Sequence, residues 1–390
     1  MKNRQLKEYP SFQEVSSLLA DLISIESVNP GYPGSIQAEN NIADFIFQYF
    51  EKIGADCYKD KVLPNRSNVI CFIKGKDRRG LCLESHMDTV SIKNMSIDPL
   101  NPMIKDGMMY GRGSADDKGS LAAMMVAVKE IITKGIKPST DLYFVGAIDE
   151  EFMHRGVDHF LEKDIQLQGA VVGEPTQLKV ITACKGVVRF EIETRGQSAH
   201  SSQPENGHSA IYDMMEIING IKYDLIPTYQ EKNHSLLGSP TMSVGCIEGG
   251  LAANIVPDQC KILIDRRLLP GETWEDVKHE VNGLLTRLKR RHSKMNVKLS
   301  LPMTTSLAMD TSINERIVQV STGSCQKIIK KAIVEGVNYG CDASSFTSMD
   351  IPSIVLGPGN ILQAHTKNEF ISLDEVCRAV EIYKQICIDF

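Results

Sequence analysis

Short apolar runs alternate with amphipathic stretches through the first half of this sequence and again at its end. That alternation restricts the fold more than any other feature. Residues 68–73, 80–83, 142–147 and 169–172 are compact apolar runs of strand length. Between the second and third lies 121–132, apolar on most faces, which reads as a helix with Lys118 and Lys129 at its edges. Strand–helix–strand alternation of this kind predicts a parallel or mixed sheet covered by helices. The middle of the chain follows a different rule. Residues 187–194 (VVRFEIET) alternate strictly, as a strand with one wet face does, and 241–247 and 260–264 add further strands. Residues 209–218 read as a helix, and so do 274–291, whose apolar period runs through Val277, Val281, Leu284, Leu285 and Leu288. A buried strand at 353–356 and a closing helix at 373–387 restore the first pattern. The expectation is an α/β protein of two domains. Residues 1–183 and 302–390 form a helix-covered mixed sheet, and 184–301 form an inserted α+β unit.

Bulk properties exclude several function classes. The 390 residues carry a formal net charge of -6, so there is no electrostatic case for nucleic acid or an anionic membrane surface. The one basic run, 287–294, suits the C-terminal turn of a helix, where the dipole is negative. Ten scattered cysteines with no C-x-x-C pair point to free thiols in a reducing compartment. The first residues lack a signal peptide's apolar core, and no apolar run approaches the ~20 residues that span a bilayer. The expected location is the cytoplasm.

The chemistry gathers where the core strands end. His86-Met87-Asp88 follows one apolar run, Asp149-Glu150-Glu151 another, Glu174-Pro175 a third, and a short loop with His365 the last. In open α/β sheets ligands bind outside the carboxyl ends of the strands. Imidazole and carboxylate are a donor set that suits zinc and related divalent ions. Any one of these residues alone is an ordinary polar loop residue, and Asp116, ahead of a helix, is compatible with a simple N-cap. Four equivalent strand ends together point to a metal site.

Seven motifs occur in register: His86-x-Asp88; Gly111-Arg112-Gly113-x-x-Asp116-x-Lys118-Gly119; Asp149-Glu150-Glu151; Gly173-Glu174-Pro175-Thr176; Gly196 through His200-Ser201-Ser202-x-Pro204; Asn254-Ile255-Val256-Pro257; and Ala364-His365-Thr366-x-Asn368-Glu369. In this the chain resembles the zinc metallopeptidase family of acetylornithine deacetylase, succinyl-diaminopimelate desuccinylase, aminoacylase and glutamate carboxypeptidase. The segment from Gly173 through Ile211 looks most like acetylornithine deacetylase.

The resemblance implies two divalent metal ions, zinc first and cobalt or manganese as substitutes. His86 and Glu174 would hold one ion, His365 and Glu151 the other, and Asp116 would bridge them. Asp88 would accept the far ring N–H of His86. Glu150 would be the general acid/base for attack by a water bridging the ions. The inserted segment would be a lid and dimerisation domain. It would bring His200, as oxyanion donor, from the partner subunit of a homodimer. Asn254, Arg267 and Gly359 match positions linked to the substrate's carboxylate, for which an arginine fork is suited; a plain surface ion pair is the alternative for Arg267.

The implied reaction is hydrolysis of the amide of an N-acyl amino acid. Asp117, where several deacylases have an apolar residue, keeps a metallo-dipeptidase or carboxypeptidase open as the alternative, and Glu174 tilts back toward the deacylase or a carboxypeptidase. A non-catalytic binding protein is the outside alternative. Against it stands the presence of all five ligands together with Glu150.

Overall fold

The computed structural model describes residues 11–390. The described chain forms two compact units. The first takes in the chain up to Thr182, with Thr311–Glu335 and Cys341–Phe390; the second is Ala183–Asp310 with Gly336–Gly340. The second edge falls at Asp310 rather than near Leu301, because Thr304–Ser306 pairs with Gly186–Arg195 as one more strand of the inserted sheet.

The first unit is built on a mixed sheet, as the alternation predicts. Its centre is four parallel strands, in the spatial order Thr140–Ala147, Asp77–His86, Leu167–Val172 and Ser353–Val355. Register aligns their carboxyl ends: His86 lies beside Ala147, Glu84 beside Val172, and Val172 beside Val355. Arg66–Ile73 and Asp56–Leu63 extend the sheet antiparallel on one side. The parallel strands are buried on both faces, which explains why they read as continuous apolar runs instead of alternating ones.

The helix Lys118–Thr133 is apolar on most faces because it is covered on most faces. It packs on the strands beneath it and is covered in turn by Phe12–Ser24 and Leu373–Asp389. Every residue from Lys118 to Val128 is buried. Full burial of each large aliphatic side chain there is worth roughly 1.5–3 kcal/mol. Lys118, expected at the helix's edge, is instead buried, with Nζ donating to the carbonyls of Leu22 (2.9 Å) and Ile25 (2.8 Å). Burial pulls its pKa down to about 7.

A second buried polar group underlies the strand ends. Arg66 donates to Glu39 (2.6 Å) and to Asp149 (2.9 Å), both fully buried. Burial pushes the Glu39 carboxyl up to about 7, against the pull of the guanidinium. Removing one member of such a group leaves buried charge uncompensated. An Arg66→Ala variant is therefore expected to lose about 3–5 kcal/mol. A urea unfolding midpoint equal to the wild type's would contradict this.

The second unit is an antiparallel sheet in the order Thr241–Gly249, Gln259–Leu268, Gly186–Arg195 and Asn296–Leu299. Its core joins Val188, Phe190, Ile192, Ile262 and Ile264 to Met214 and Ile217 of the helix Ala210–Gly220, and to Val277, Val281 and Leu284 of Trp274–Arg291. The second helix begins with a capping box. Thr273 Oγ1 accepts from the Asp276 N–H, and Asp276 accepts from the Thr273 N–H at 2.8 Å. It ends in Lys289, Arg290 and Arg291, so the basic run caps a helix dipole as expected. Among the described residues no helix is long and apolar enough to cross a membrane.

Candidate metal centre

Because the four central strands are parallel and end level, the segments that follow them share one edge of the sheet. His86 is the last residue of its strand, Glu150 and Glu151 follow Ala147, Glu174 follows Val172, and the loop to His365 follows Val355.

Asp116 comes from elsewhere, and a buried carboxylate holds it in place. Glu369 accepts the main-chain N–H groups of Gly113 (3.0 Å), Ala115 (2.8 Å) and Asp116 (3.1 Å), and the Arg112 guanidinium (2.7 Å). Gly113 allows this fold because its φ of +77° lies in the left-handed region. A Cβ there would also stand 2.8 Å from Thr89 Cγ2.

The Asp116 carboxylate then faces two histidines, one with each oxygen. Oδ1 lies 3.0 Å from His86 Nε2, and Oδ2 lies 3.2 Å from His365 Nε2. His365 Nε2 also lies 3.2 Å from Glu151. Donor atoms of His86, Asp116 and Glu174 all fall within 4.8 Å of one another, and so do those of Asp116, Glu151 and His365. Two trios thus share one carboxylate. His86 Nδ1 is 2.9 Å from the Asp88 carbonyl, which is a donor's position; that leaves the Nε2 lone pair for the Asp116 side.

This corrects the contact expected for Asp88. Its carboxylate stands 3.6 Å from His86 Nδ1, while its main-chain carbonyl takes the ring N–H. The carboxylate instead accepts the N–H groups of Glu150 and Glu151, each at 3.1 Å, and the Asn29 amide at 2.7 Å. Asn29 also donates to Asp149, which the Arg66 and Arg155 guanidiniums hold from the other side. Asn29, Arg66, Glu39 and Glu369 were given no role from sequence. Glu369 lies inside a quoted motif, but its partners lie more than 250 residues away. Asp117, the departure from the deacylase pattern, is buried and accepts from Ser85 Oγ at 2.6 Å; it belongs to neither trio.

Electrostatics match the donor set. Burial raises Glu174 and Glu150 well above the usual carboxylate range, reinforced for Glu174 by Asp116 and for Glu150 by the charges of Asp342 and Glu151. Burial and the Asp116 charge push Glu151 up to about 7. Asp116 lies below the usual range: burial opposes its charge, but the two imidazoles outweigh it. Hydrogen bonds to Asp116 and Glu151 push His365 up to about 10. Crowded buried carboxylates and imidazoles of this kind fit divalent cations, which would replace the protons that now limit the repulsion.

A direct consequence is proton release. Ligands must be deprotonated to bind, and His365 and part of Glu151 carry protons at pH 7. Metal uptake is expected to expel protons, with affinity rising as pH rises through about 7 to 10. Titration calorimetry in two buffers of different ionisation enthalpy tests this; identical heats would contradict it.

The other expected site residues divide between the units. Gly359 belongs to the first; its φ is +89° and its N–H donates to Glu375 at 2.8 Å. His200, Asn254 and Arg267 belong to the second. His200 is exposed, with Nδ1 2.7 Å from Ser202 Oγ, and Asn254 is exposed. Adjacent strand residues point to opposite faces, so the two arginines differ. Arg266 is buried over the Tyr229 ring and paired with Glu272 at 3.0 Å, whereas Arg267 is half-buried and paired with Asp265 at 2.8 Å.

Comparison with known proteins agrees with this architecture. The family model "Peptidase family M20/M25/M40" matches residues 82–389. The acetylornithine deacetylase of Vibrio campbellii is 31% identical over 392 residues, covering 98% of this chain and 99% of that protein. Among solved structures, the aminopeptidase PepT of Bacillus cereus superposes with a TM-score of 0.78 at 22% identity, covering 97% of this chain and 98% of that one. The metallo-carboxypeptidase Sso-CP2 of Sulfolobus solfataricus gives 0.80 at 18% identity, covering 96% and 99%. The chain belongs to Peptidase family M20/M25/M40 and is a hydrolase of amide bonds.

Proposed function

We propose that this chain is a two-metal deacylase that hydrolyses the amide of an N-acyl amino acid. The observation that carries the reading is Asp116, whose two oxygens face His86 and His365 separately. A carboxylate so placed suits a pair of ions ~3.5–4 Å apart. Zinc is the first choice for a His, Asp and Glu donor set, with cobalt or manganese as substitutes. The acyl amino acid as substrate is supported by the deacetylases of Vibrio campbellii, Pasteurella multocida and Proteus mirabilis, all about 30% identical over nearly the whole chain.

His86 and Glu174 would hold one ion, Glu151 and His365 the other, and Asp116 both. Bound ions would supply Lewis acidity toward the amide oxygen and lower the pKa of the attacking water. Glu150 lies outside both trios and is free to move a proton. Its raised proton affinity suits taking the proton from water at one carboxylate oxygen and returning it to the leaving nitrogen. Asp88 holds the main chain of Glu150 and Glu151 so that the shuttle and the ligand keep their separate directions. His200 would donate to the developing oxyanion, and Asn254, Arg267 and Gly359 would receive the substrate's carboxylate.

A homodimer through the second unit is part of the proposal. Thr241–Gly249 is an edge strand of that unit's sheet, and Tyr212, Met215 and Ile247 are exposed. Unpaired strand edges and exposed apolar side chains favour association. Ten scattered cysteines with no C-x-x-C pair fit a reducing, cytoplasmic setting.

The test is release of free amine from N-acetyl, N-succinyl and N-formyl amino acids and from dipeptides, with added zinc or cobalt and a chelator control. The expected result is chelator-sensitive hydrolysis of an acyl amino acid. Activity confined to dipeptides would keep the site and replace the substrate class.

A further inference from the structure

Glu150 belongs to neither ligand trio, so something other than an ion must hold its carboxylate. A different pair of side chains stands behind it. His154 Nδ1 lies 3.8 Å from Glu150 Oε1 and 2.7 Å from Asp342 Oδ1. The Asp342 side chain is 1% exposed, that of His154 16% and that of Glu150 11%.

The direction of the imidazole is set by the main chain. His154 has a φ of +56°, unusual for a residue with a side chain, and its N–H donates to the Asp149 carbonyl at 2.8 Å. Asp149 is in turn gripped by Arg66, Arg155 and Asn29. His154 then starts the helix Arg155–Leu161, and Asp342 starts Ala343–Ser348. These two short helices are tied by Ser345 Oγ donating to Asp158 at 2.6 Å. Both members of the pair are therefore fixed before Glu150 is considered.

Glu150, His154 and Asp342 also form a third group of potential metal donors. Within this group His154 already has a partner. The 2.7 Å between His154 and Asp342 is that of a charge-assisted hydrogen bond. Burial opposes charge on His154, but the hydrogen bond and charge of Asp342, and the charge of Glu150, push it up to about 9. The ring is therefore cationic at neutral pH.

We propose that His154, oriented by Asp342, is a positioning residue for the general acid/base Glu150. Its cationic ring draws one Glu150 oxygen toward the Asp342 side. This keeps the carboxylate from turning onto an ion and becoming a further ligand, and holds it at one distance from the reacting water. Both partners come to the carboxylate from outside the ligand trios, so the pair acts on proton transfer and not on metal binding. The inference rests on the role proposed for Glu150.

The test compares kcat, KM and metal content for the wild type, His154→Ala, His154→Asn, Asp342→Asn, Glu150→Ala and the double variant Glu150→Ala with His154→Ala. The substrate is whichever compound in the panel above is hydrolysed. His154→Ala is expected to lower kcat about 10- to 100-fold with KM and metal content near wild type. Asparagine, which can keep an N–H near the place of Nδ1 but carries no charge, is expected to recover little of the loss. Asp342→Asn is expected to lower kcat in the same sense. In the Glu150→Ala background, His154→Ala is expected to cost nothing further, because two residues acting as a unit are not additive.

Wild-type kcat in both His154→Ala and Asp342→Asn, beside an impaired Glu150→Ala, would overturn this inference alone. So would an undiminished loss in the Glu150→Ala background, or a loss that tracks metal content. An unimpaired Glu150→Ala would overturn the role of Glu150 itself. A wild-type protein that hydrolyses nothing in the panel would overturn the proposed function and this inference together.

Discussion

Glu150→Ala is expected to lower kcat by about two to four orders of magnitude while metal content stays at that of the wild type. The separation of the two effects follows from geometry. Glu150 and Glu151 are neighbours, and Asp88 accepts both of their main-chain N–H groups. Only Glu151 joins a trio with Asp116 and His365. Removing Glu150 leaves every ligand atom in place and deletes the group available to carry a proton. A shuttle must be able to take up and release a proton, and the raised proton affinity of Glu150, set by burial and by nearby carboxylates, is suited to that task. Glu150→Gln is expected to behave like the alanine variant, because shape without a titrating oxygen does not replace the function. Steady-state kinetics with metal analysis of the same sample decides the matter. Near wild-type turnover would remove Glu150 from the mechanism, and loss of metal would recast it as a ligand.

Asp116→Ala is expected to abolish turnover and to strip both ions, a larger effect than loss of any ligand that serves one. Its two oxygens point at different histidines, 3.0 Å from His86 and 3.2 Å from His365. Without them each trio falls to two donors at once. The loss should exceed the ~10–100-fold typical of residues that only support a ligand. Glu174→Ala and His365→Ala are the controls, each expected to reduce metal content by about one ion. Misfolding is not the expected cause. The loop that carries Asp116 is held through main-chain N–H groups donating to Glu369, and those remain in the variant. Metal per chain after gel filtration, with circular dichroism as the check on folding, tests the prediction. Retention of one ion at full occupancy would show that Asp116 serves a single site.

The location of the chemistry was legible because it depends on local pattern. Apolar runs followed by His, Asp or Glu place those side chains at strand ends whatever the exact topology, and parallel strands place those ends on one edge. His86, Glu151, Glu174 and His365 lie in segments that stood out on that ground, Asp116 only in a motif that carries the family resemblance, and the two trios contain these five. The helix Trp274–Arg291 was readable from its apolar period because one face packs, and in the structure a capping box and a basic last turn mark its ends.

The supporting shell was not legible. Glu369 looks like any charged residue near a loop, and nothing local says that three main-chain N–H groups from 113–116 will converge on it. Lys118 follows the same rule: lysine at a helix start normally lies in water, and only the cover of Phe12–Ser24 turns it toward the carbonyls of Leu22 and Ile25. The contact between Asp88 and His86 depends on whether the ring meets the carboxylate or the carbonyl of one residue, a choice that motif spacing does not make.

The sequence by itself determined the strand and helix pattern and the α/β class, because hydrophobic period acts over a few neighbours, and its motifs named the candidate ligands through the family they resemble. The tertiary structure decided which oxygen of Asp116 faces which histidine, what holds the Glu150–Glu151 turn, and that His154 and Asp342 stand behind Glu150. Those arrangements join residues as far apart in the chain as Asp116 and His365, and only the packed chain determines which partner comes within reach of each polar group.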